Sequence, residues 1–264
     1  AAEEKQVHTL YATARQTTPD DHAATFRSVL TRLLVSPSFL YRIEEPPAGD
    51  QAGPVNNWEL ATRLSYFLWS TLPDASLRTA AGRARLQNPD QLVEQARHMI
   101  QDARVRNLAT EFTCQWLGLH GFDMFDGKNE RQYPTFTKLR GDMYEEPIRF
   151  FTDLFVRNGS LLEVLDADHT FLNTALAQHY GITDLAEPGW QRVAGMKAHS
   201  RGGVLGMAAM LSSQAGASRT SPILRGNWVV ETLLGERLPD PPANVPDLPD
   251  AISQEGLTVR QRTE

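Results

Sequence analysis

The sequence predicts an all-α fold, an irregular multi-helix bundle that ends in a proline-rich extended arm. Apolar residues recur at helical spacing along most of the 264 residues, and alternating patterns typical of strands are almost absent. After Leu238, closely spaced prolines exclude regular helix and favour an extended, polyproline-like chain. These prolines are Pro239, Pro241, Pro242, Pro246 and Pro249.

The first helices are predicted from apolar spacing and from the prolines that interrupt it. An amphipathic helix is expected within Asp20–Tyr41, ending before the Ser36–Pro37 break. A linker rich in proline and glycine follows at Pro46–Pro54. The next helix should run from Asn57, as its N-cap, to Trp69. Leu72–Asp74 then stops this helix and caps a short successor.

The middle of the chain predicts three further helices and one long loop. Asn88–Pro89 has the cap-then-proline order that begins a helix, and Val105–Trp116 carries another apolar stripe. His120–Pro134 is polar and irregular, so we expect a loop there. Phe136–Leu154 has the apolar spacing of one long helix, which Pro147 should kink or split.

Three more helices are expected toward the C-terminal end. Ser160–Glu163 is a capping-box pattern for a short helix. Asp168–Gly181 predicts a second one, with Asp168 as its cap and Gly181 as its terminator. Ser221 is expected to cap a helix over Pro222–Leu234, because proline suits the first helical position and Gly235 suits the residue after the end.

Composition and charge exclude several classes of partner. The net charge of −6 and a pI near 5.7 leave no basic surface for nucleic acid. No apolar run approaches the roughly 20 residues of a membrane helix, so we expect no membrane span. Cys114 is the one cysteine, which excludes an internal disulfide; its neighbours Phe112 and Trp116 predict a buried, inert thiol.

An arginine- and glycine-rich stretch between Arg201 and Gly235 is the strongest candidate for a binding site. Guanidinium groups near a helix start, where backbone N–H groups are free, favour a bound anion. That anion is either a carboxylate of the protein or an acidic group of a ligand. The candidate residues are Arg201, Arg219, Thr220, Ser221 and Arg225.

Two other interpretations of the polar residues remain open. In the first, the three arginines form internal salt bridges between the Asp166–Asp168 turn and the helix after Ser221. In the second, Asp166, Asp168 and His179 are candidate metal ligands, although the turn lacks the further ligands and the glycine of a calcium loop. A structural role is the alternative for these residues: Asp168 caps a helix, Asp166 pairs with an arginine, and His179 lies in a last helical turn.

Known catalytic motifs are absent from the sequence. It contains no Gly-x-Ser-x-Gly, no His-Glu-x-x-His, no phosphate-binding loop and no Cys-x-x-Cys-His haem-attachment site. No reaction class therefore follows from a local motif.

Several segments together carry a family resemblance that covers nearly the whole chain. In order, these segments are Leu34–Arg42, Glu59–Ser70, Asp166–Asn173, Arg201–Gly206 and Arg219–Gly226. They resemble planctomycete cytochrome c-type multidomain proteins, large exported polypeptides built from domains of unknown function. Two departures are Pro147, where the family's helix usually has Thr, and His169, where the family commonly has Tyr.

The resemblance implies a division of the chain into three parts. Residues 1–45 would be the tail of a preceding helical module, residues 55–185 a central helical module, and residues 190–264 the front of a cytochrome-like module. On this basis the chain is expected to be a fragment that stops before a haem-attachment motif. Its partners would be the remainder of the same polypeptide or another haem-bearing chain, and a redox partner.

The resemblance also implies an activity and a location. The intact protein would be periplasmic or extracellular, would carry haem c attached outside this segment, and would act in electron transfer or as an oxidoreductase. Arg201, Arg219 and Arg225 would then hold a haem propionate. The alternatives are a non-catalytic scaffold or binding module at the cell surface, and a metal-dependent hydrolase that uses Asp166, Asp168 and His179.

Overall fold

The structure, a computed structural model, describes residues 2–17, 19–44, 53–183, 185 and 187–239. Most of these residues are helical, and the helices form an irregular bundle, which confirms the predicted fold class. Within the described residues, no helix is both long enough and apolar enough to cross a membrane.

The N-terminal part consists of two paired helices and a short third one. These are α1 (Ala2–Thr17), α2 (His22–Leu34) and α3 (Pro37–Leu40). The Asp21 side chain caps α2 by accepting a hydrogen bond from the Ala24 backbone at 2.8 Å. Helix α2 ends at Leu34, which confirms the predicted end before Ser36–Pro37. Helix α1 packs against α2 and has no counterpart among the helices predicted from the sequence.

Four helices follow and enclose a small core of their own. They are α4 (Asn57–Trp69), α5 (Ala75–Gly82), α6 (Pro89–Ile100) and α7 (Val105–Leu117). Asn88 caps α6 as predicted. The cap of α4 is Asn56 and not Asn57, because Asn56 and Glu59 form a reciprocal capping box. Asn57 instead accepts the Leu86 backbone N–H at 2.8 Å.

Helix α8 (Phe136–Val156) continues without a break through Pro147, so the predicted split is wrong. Proline in a helix removes one hydrogen bond and costs about 3 kcal/mol. Here Met143, Ile148 and Phe150, on both sides of the proline, are buried in the protein. The free energy gained from this burial offsets the cost of the proline, so the helix continues.

The segment predicted as one helix over Asp168–Gly181 is divided into a strand and a helix. Strand β1 (His169–Leu172) pairs antiparallel with β2 (Gln191–Ala194), with His169 opposite Ala194. Asn173 then accepts the Leu176 N–H at 2.9 Å and begins α10 (Thr174–His179). The helix preceding β1 is α9 (Glu163–Asp166), which begins after Leu162 and has no side-chain cap. Only one half of the predicted capping box forms, because the Ser160 N–H donates to the Glu163 carboxylate at 3.1 Å while the Ser160 hydroxyl accepts the Leu162 N–H.

The C-terminal described part contains α11 (Ala208–Ser213) and α12 (Pro222–Trp228), which continues as a π-helical turn over Val229–Leu233. Ser221 caps α12 by accepting the Leu224 N–H at 3.2 Å, as predicted. The proline-rich arm lies outside the described residues from residue 240 onward. Short 3₁₀ turns occupy Phe122–Met124, Met196–His199 and Val204–Gly206.

The larger core is shared by α7, α8, β1, α10 and α11. It extends from Ala109 to Trp228 and includes Cys114, whose burial is thereby confirmed. Burial raises the pKa of this thiol above its ordinary value, as expected of an unreactive cysteine. This core contains residues from both sides of residues 185–190, where the sequence analysis placed the boundary between two modules. The division of the chain into three modules remains a prediction.

Candidate functional site

A cleft of about 370 Å³ opens beside the larger core, and we call it the cationic cleft. Its lining is Lys128, Tyr133, Thr135, Phe136, Met143, His179, Arg201, Ala208, Leu211, Ser212, Ala215, Gly216, Thr220 and Arg225. Lys128, Arg201 and Arg225 supply three positive charges. None of the described residues that line the cleft carries a carboxylate.

Arg201 is held in place by the glycine-rich turn that follows it. One of its terminal nitrogens donates to the Gly206 carbonyl at 2.7 Å, and the guanidinium carbon lies 3.9 Å from the centre of the Tyr180 ring. Gly203 permits the turn, since its φ is +60° and a Cβ there would lie 2.5 Å from the Val164 carbonyl oxygen. The Arg-Gly-Gly-Val-Leu-Gly sequence thus has a structural explanation: it positions Arg201.

Arg225 projects from α12 and has spare hydrogen-bonding capacity. Its Nη2 lies 3.5 Å from the Leu211 carbonyl oxygen, a long contact. Its Nε is buried and has no hydrogen-bond partner among the described residues. A buried guanidinium N–H without an acceptor is costly, so this side chain favours an anion in the cleft.

Lys128 closes the cleft from the side of the long loop. Its Nζ donates to the Ala215 and Gly216 carbonyls at 2.6 and 3.0 Å. Desolvation lowers the pKa of this ammonium group below its ordinary value. These two carbonyls accept hydrogen bonds from the ammonium group but do not neutralise its charge, which still acts on the cleft.

A buried carboxylate lies beneath Arg201. Glu146, which is 1% exposed, accepts hydrogen bonds from the Thr170 hydroxyl at 2.7 Å and from the Tyr180 hydroxyl at 2.5 Å. The Tyr180 oxygen in turn accepts the Ala208 N–H at 2.8 Å. Desolvation raises the pKa of Glu146 to about 7, against the opposing effects of the two hydroxyls and of the Arg201 charge. We call Glu146, Thr170 and Tyr180 the buried network.

The structure brings some of the candidate anion-binding residues together and separates others. Arg201, Thr220 and Arg225 line the cleft, whereas Arg219 is exposed and is not among the lining residues. The Ser221 hydroxyl is occupied as the cap of α12.

The predicted internal salt bridges are not formed among the described residues. Within the described part of the chain, none of the three arginines lies within 4.0 Å of a carboxylate oxygen. Asp166 pairs instead with the Lys197 ammonium at 2.6 Å. Asp168 does not cap a helix, because it accepts the Lys197 backbone N–H at 2.7 Å and supports the turn after β2.

His179 is the candidate metal ligand that does reach the cleft. It is exposed at the end of α10, and its pKa is lowered by desolvation and then by the Arg201 charge, so the ring is neutral at pH 7. Asp166 and Asp168 are not among the residues that line the cleft with His179. Among the described residues, no group of three or more potential metal-ligating side chains could hold a metal ion.

Sequence reasoning missed Lys128, Glu146 and Tyr180. One signal was available for Glu146, because it falls on the apolar stripe of α8 between Met143 and Phe150. A carboxylate at such a position needs buried partners, which marks it as unusual. No local pattern distinguished Lys128 from the other charged residues of its loop.

The fold and the cleft define a predominantly helical protein with a positively charged ligand-sized cavity. The chain matches two family models. Residues 55–182 match PSD4, a protein of unknown function (DUF1592), and residues 201–264 match PSCyt3, a protein of unknown function (DUF1588). No curated protein and no solved structure matches the chain. The cationic cleft takes Lys128 and His179 from the first matched segment and Arg201 and Arg225 from the second.

Proposed function

We propose that the chain is a helical part of an exported c-type cytochrome-like protein that acts in electron transfer or as an oxidoreductase. Its location would be periplasmic or extracellular, and haem c would be attached elsewhere in the polypeptide or on a partner chain. Support for this proposal comes from the resemblance of the chain's motifs to the planctomycete proteins, in which the proline-rich arm leads into a haem segment.

The single observation that carries the proposed role of the site is the cationic cleft itself. A haem propionate is a carboxylate on a short flexible arm, and it suits a cleft whose arginines lack a described carboxylate partner. Arg201, Thr220 and Arg225 would contact the propionate, while Arg219 and Ser221 would lie at the start of α12 beside them. When bound, the haem would supply the electron-transfer chemistry, and the chain's own residues would orient it and shield its acidic group.

The test uses the complete polypeptide expressed with the haem-maturation machinery. We expect covalently bound haem, seen as c-type absorption bands that persist after denaturation and acid–acetone extraction. An Arg225→Gln variant should keep these bands and its thermal stability but change the reduction potential, since the propionate loses a positive partner. Absence of covalent haem would contradict the proposal.

A non-catalytic scaffold is the second candidate, and one observation favours it. Arg201 and Lys128 both donate to backbone carbonyls, so the cations also fasten loops around the cleft. For a scaffold, Arg225→Gln would lower the stability of the complete protein and leave its haem spectrum and potential unchanged. The same variant therefore separates the two functions.

A further inference from the structure

The cationic cleft concentrates like charges that no described carboxylate in its wall compensates. Lys128, Arg201 and Arg225 share a cavity of about 370 Å³. Each charge raises the potential felt by the other two, and low-dielectric walls strengthen the effect. An anion that entered the cleft would gain from all three charges at once.

The walls indicate what else the anion should carry. Phe136, Met143 and Leu211 line the cleft beside the cations. A ligand with an acidic head and a short apolar body would satisfy both surfaces. The volume lies near the small end of ligand pockets, roughly 300–1,000 Å³, which favours a small molecule or a single arm of a larger one.

The buried network connects the cleft to a group that can change its charge. Arg201 stacks on Tyr180, and the Tyr180 hydroxyl donates to the Glu146 carboxylate at 2.5 Å. The Arg201 charge stabilises the ionised form of Glu146. A carboxylate bound to Arg201 would weaken this stabilisation and favour the protonated form.

We propose that the cationic cleft binds a small carboxylate together with a proton: Lys128, Arg201 and Arg225 hold the carboxylate, and Glu146 takes up the proton. The proton comes from solvent. Once Glu146 Oε1 carries the proton, it can donate a hydrogen bond to the Thr170 hydroxyl oxygen, while the Tyr180 hydroxyl continues to donate to Oε2. The idea rests on the proposed function, in which the cleft receives a carboxylate, and adds that binding is linked to proton uptake.

The sign of the linkage follows from the charge of Glu146. At pH 6 Glu146 is mostly neutral, so the three cations act on the ligand without a neighbouring negative charge. At pH 8 it is mostly ionised and offsets the Arg201 charge. Carboxylate affinity should therefore fall as the pH rises through about 7.

Other titratable groups also face the cleft or the network, and each would act differently. His179 has its pKa lowered below 6.5, so its protonation would strengthen binding only in the more acidic range. Desolvation lowers the pKa of the Lys128 ammonium group, and loss of its charge at higher pH would also weaken binding. Tyr180 has its pKa raised well above 10 and stays neutral throughout. Thr170 and the Ala208 N–H complete the surroundings of the network without titrating.

The experiment is isothermal titration of the full 264-residue chain with benzoate, which is ionised at both pH 6 and pH 8. We expect binding at pH 6 and an affinity about fivefold to tenfold lower at pH 8, a typical size for coupling between two sites. Heats measured in buffers of different ionisation enthalpy should show net proton uptake near pH 7. Benzamide, the neutral counterpart of benzoate, should not bind.

Substitutions test which residues bind the carboxylate and which residue takes up the proton. Arg225→Gln should weaken benzoate binding at least tenfold, while Arg97→Gln, an exposed arginine on α6, should leave it unchanged. Glu146→Gln keeps the shape of the side chain and can still accept from Tyr180. This variant should bind benzoate with an affinity independent of pH between 6.5 and 8, whereas His179→Asn should keep the pH dependence. Thermal melting of each variant shows whether it remains folded.

The outcomes separate this inference from the proposed function. Binding with the same pH dependence in Glu146→Gln as in the wild type would overturn the proton linkage and leave the propionate clamp standing. No benzoate binding at pH 6 would overturn the carboxylate site, whatever the haem content of the complete protein. Displacement of benzoate by haemin but not by haemin dimethyl ester would identify a propionate as the ligand. Displacement by neither would support a free carboxylate and count against the clamp.

Discussion

Glu146→Gln is expected to remove a pH dependence from the stability of the chain. Burial makes the ionised form of Glu146 unfavourable in the folded protein, and its pKa rises from 4.5 to about 7. The unfolded chain releases this proton near pH 4.5, but the folded chain retains it until about pH 7. The folded state is thus most favoured at low pH and loses this contribution as the pH rises through 7.

The magnitude follows from the size of the pKa change. Each pKa unit corresponds to about 1.4 kcal/mol, so the rise from 4.5 to about 7 corresponds to about 3 kcal/mol in all. Between pH 5 and 8, the wild type should therefore lose about 2 to 3 kcal/mol of unfolding free energy relative to Glu146→Gln. Other ionisable groups are common to the two proteins and cancel in the difference.

The assay is urea unfolding of both proteins at pH 5, 6, 7 and 8, followed by circular dichroism. Glu94→Gln, at an exposed position on α6, is the matched control and should give a curve parallel to that of the wild type. Parallel curves for Glu146→Gln and the wild type would show that Glu146 titrates in its ordinary range. The buried network would then not work as described.

Three shorter predictions concern the turn, the cap and the thiol. Gly203→Ala should lower the free energy of unfolding, measured with urea, by about 2 to 5 kcal/mol, because the new Cβ would lie 2.5 Å from the Val164 carbonyl oxygen at a positive φ. Gly226→Ala in α12 is the control: there is open space around it, so the free energy of unfolding should stay the same or rise by up to about 1 kcal/mol. Ser221→Ala should cost about 1 kcal/mol through loss of the α12 cap, measured in the same way. Cys114 should resist a thiol reagent at pH 8 in the native protein and react promptly in urea, since it is buried with a raised pKa; rapid native reaction would contradict its burial.

The sequence alone predicted the start of a helix correctly where a capping residue is followed directly by a proline. Asn88 before Pro89 and Ser221 before Pro222 both cap helices in the structure. Two adjacent asparagines made the start of α4 ambiguous by one residue, and Asn56 took the cap because Glu59 lies three residues after it. Cap chemistry therefore gives the position of a helix better than apolar spacing does.

Signals that depend on distant residues could not be found in the same way. The strand at His169–Leu172 is too short for a clear alternation and is defined by its pairing with β2, about twenty residues later. Helix α8 passes through Pro147 because both of its halves pack in one core. In each case tertiary contacts override a correct local preference.

The site was predicted in part. Arg201, Thr220 and Arg225 meet in one cleft, as an anion site requires, but their expected carboxylate partners are engaged by Lys197. Lys128 comes from a loop more than seventy residues away in sequence. Its contribution depends on the fold, and no spacing rule connects it to the arginines.

A crystal structure with 4-iodobenzoate tests the carboxylate site most directly. The iodine gives an anomalous signal, and the small aromatic acid suits a cleft of about 370 Å³. We predict one strong iodine peak against the apolar wall, with the carboxylate at about 2.7–2.9 Å from Arg225 and Lys128 nitrogens. An empty cleft at saturating ligand, or a carboxylate bound only at surface arginines such as Arg97, would contradict the account.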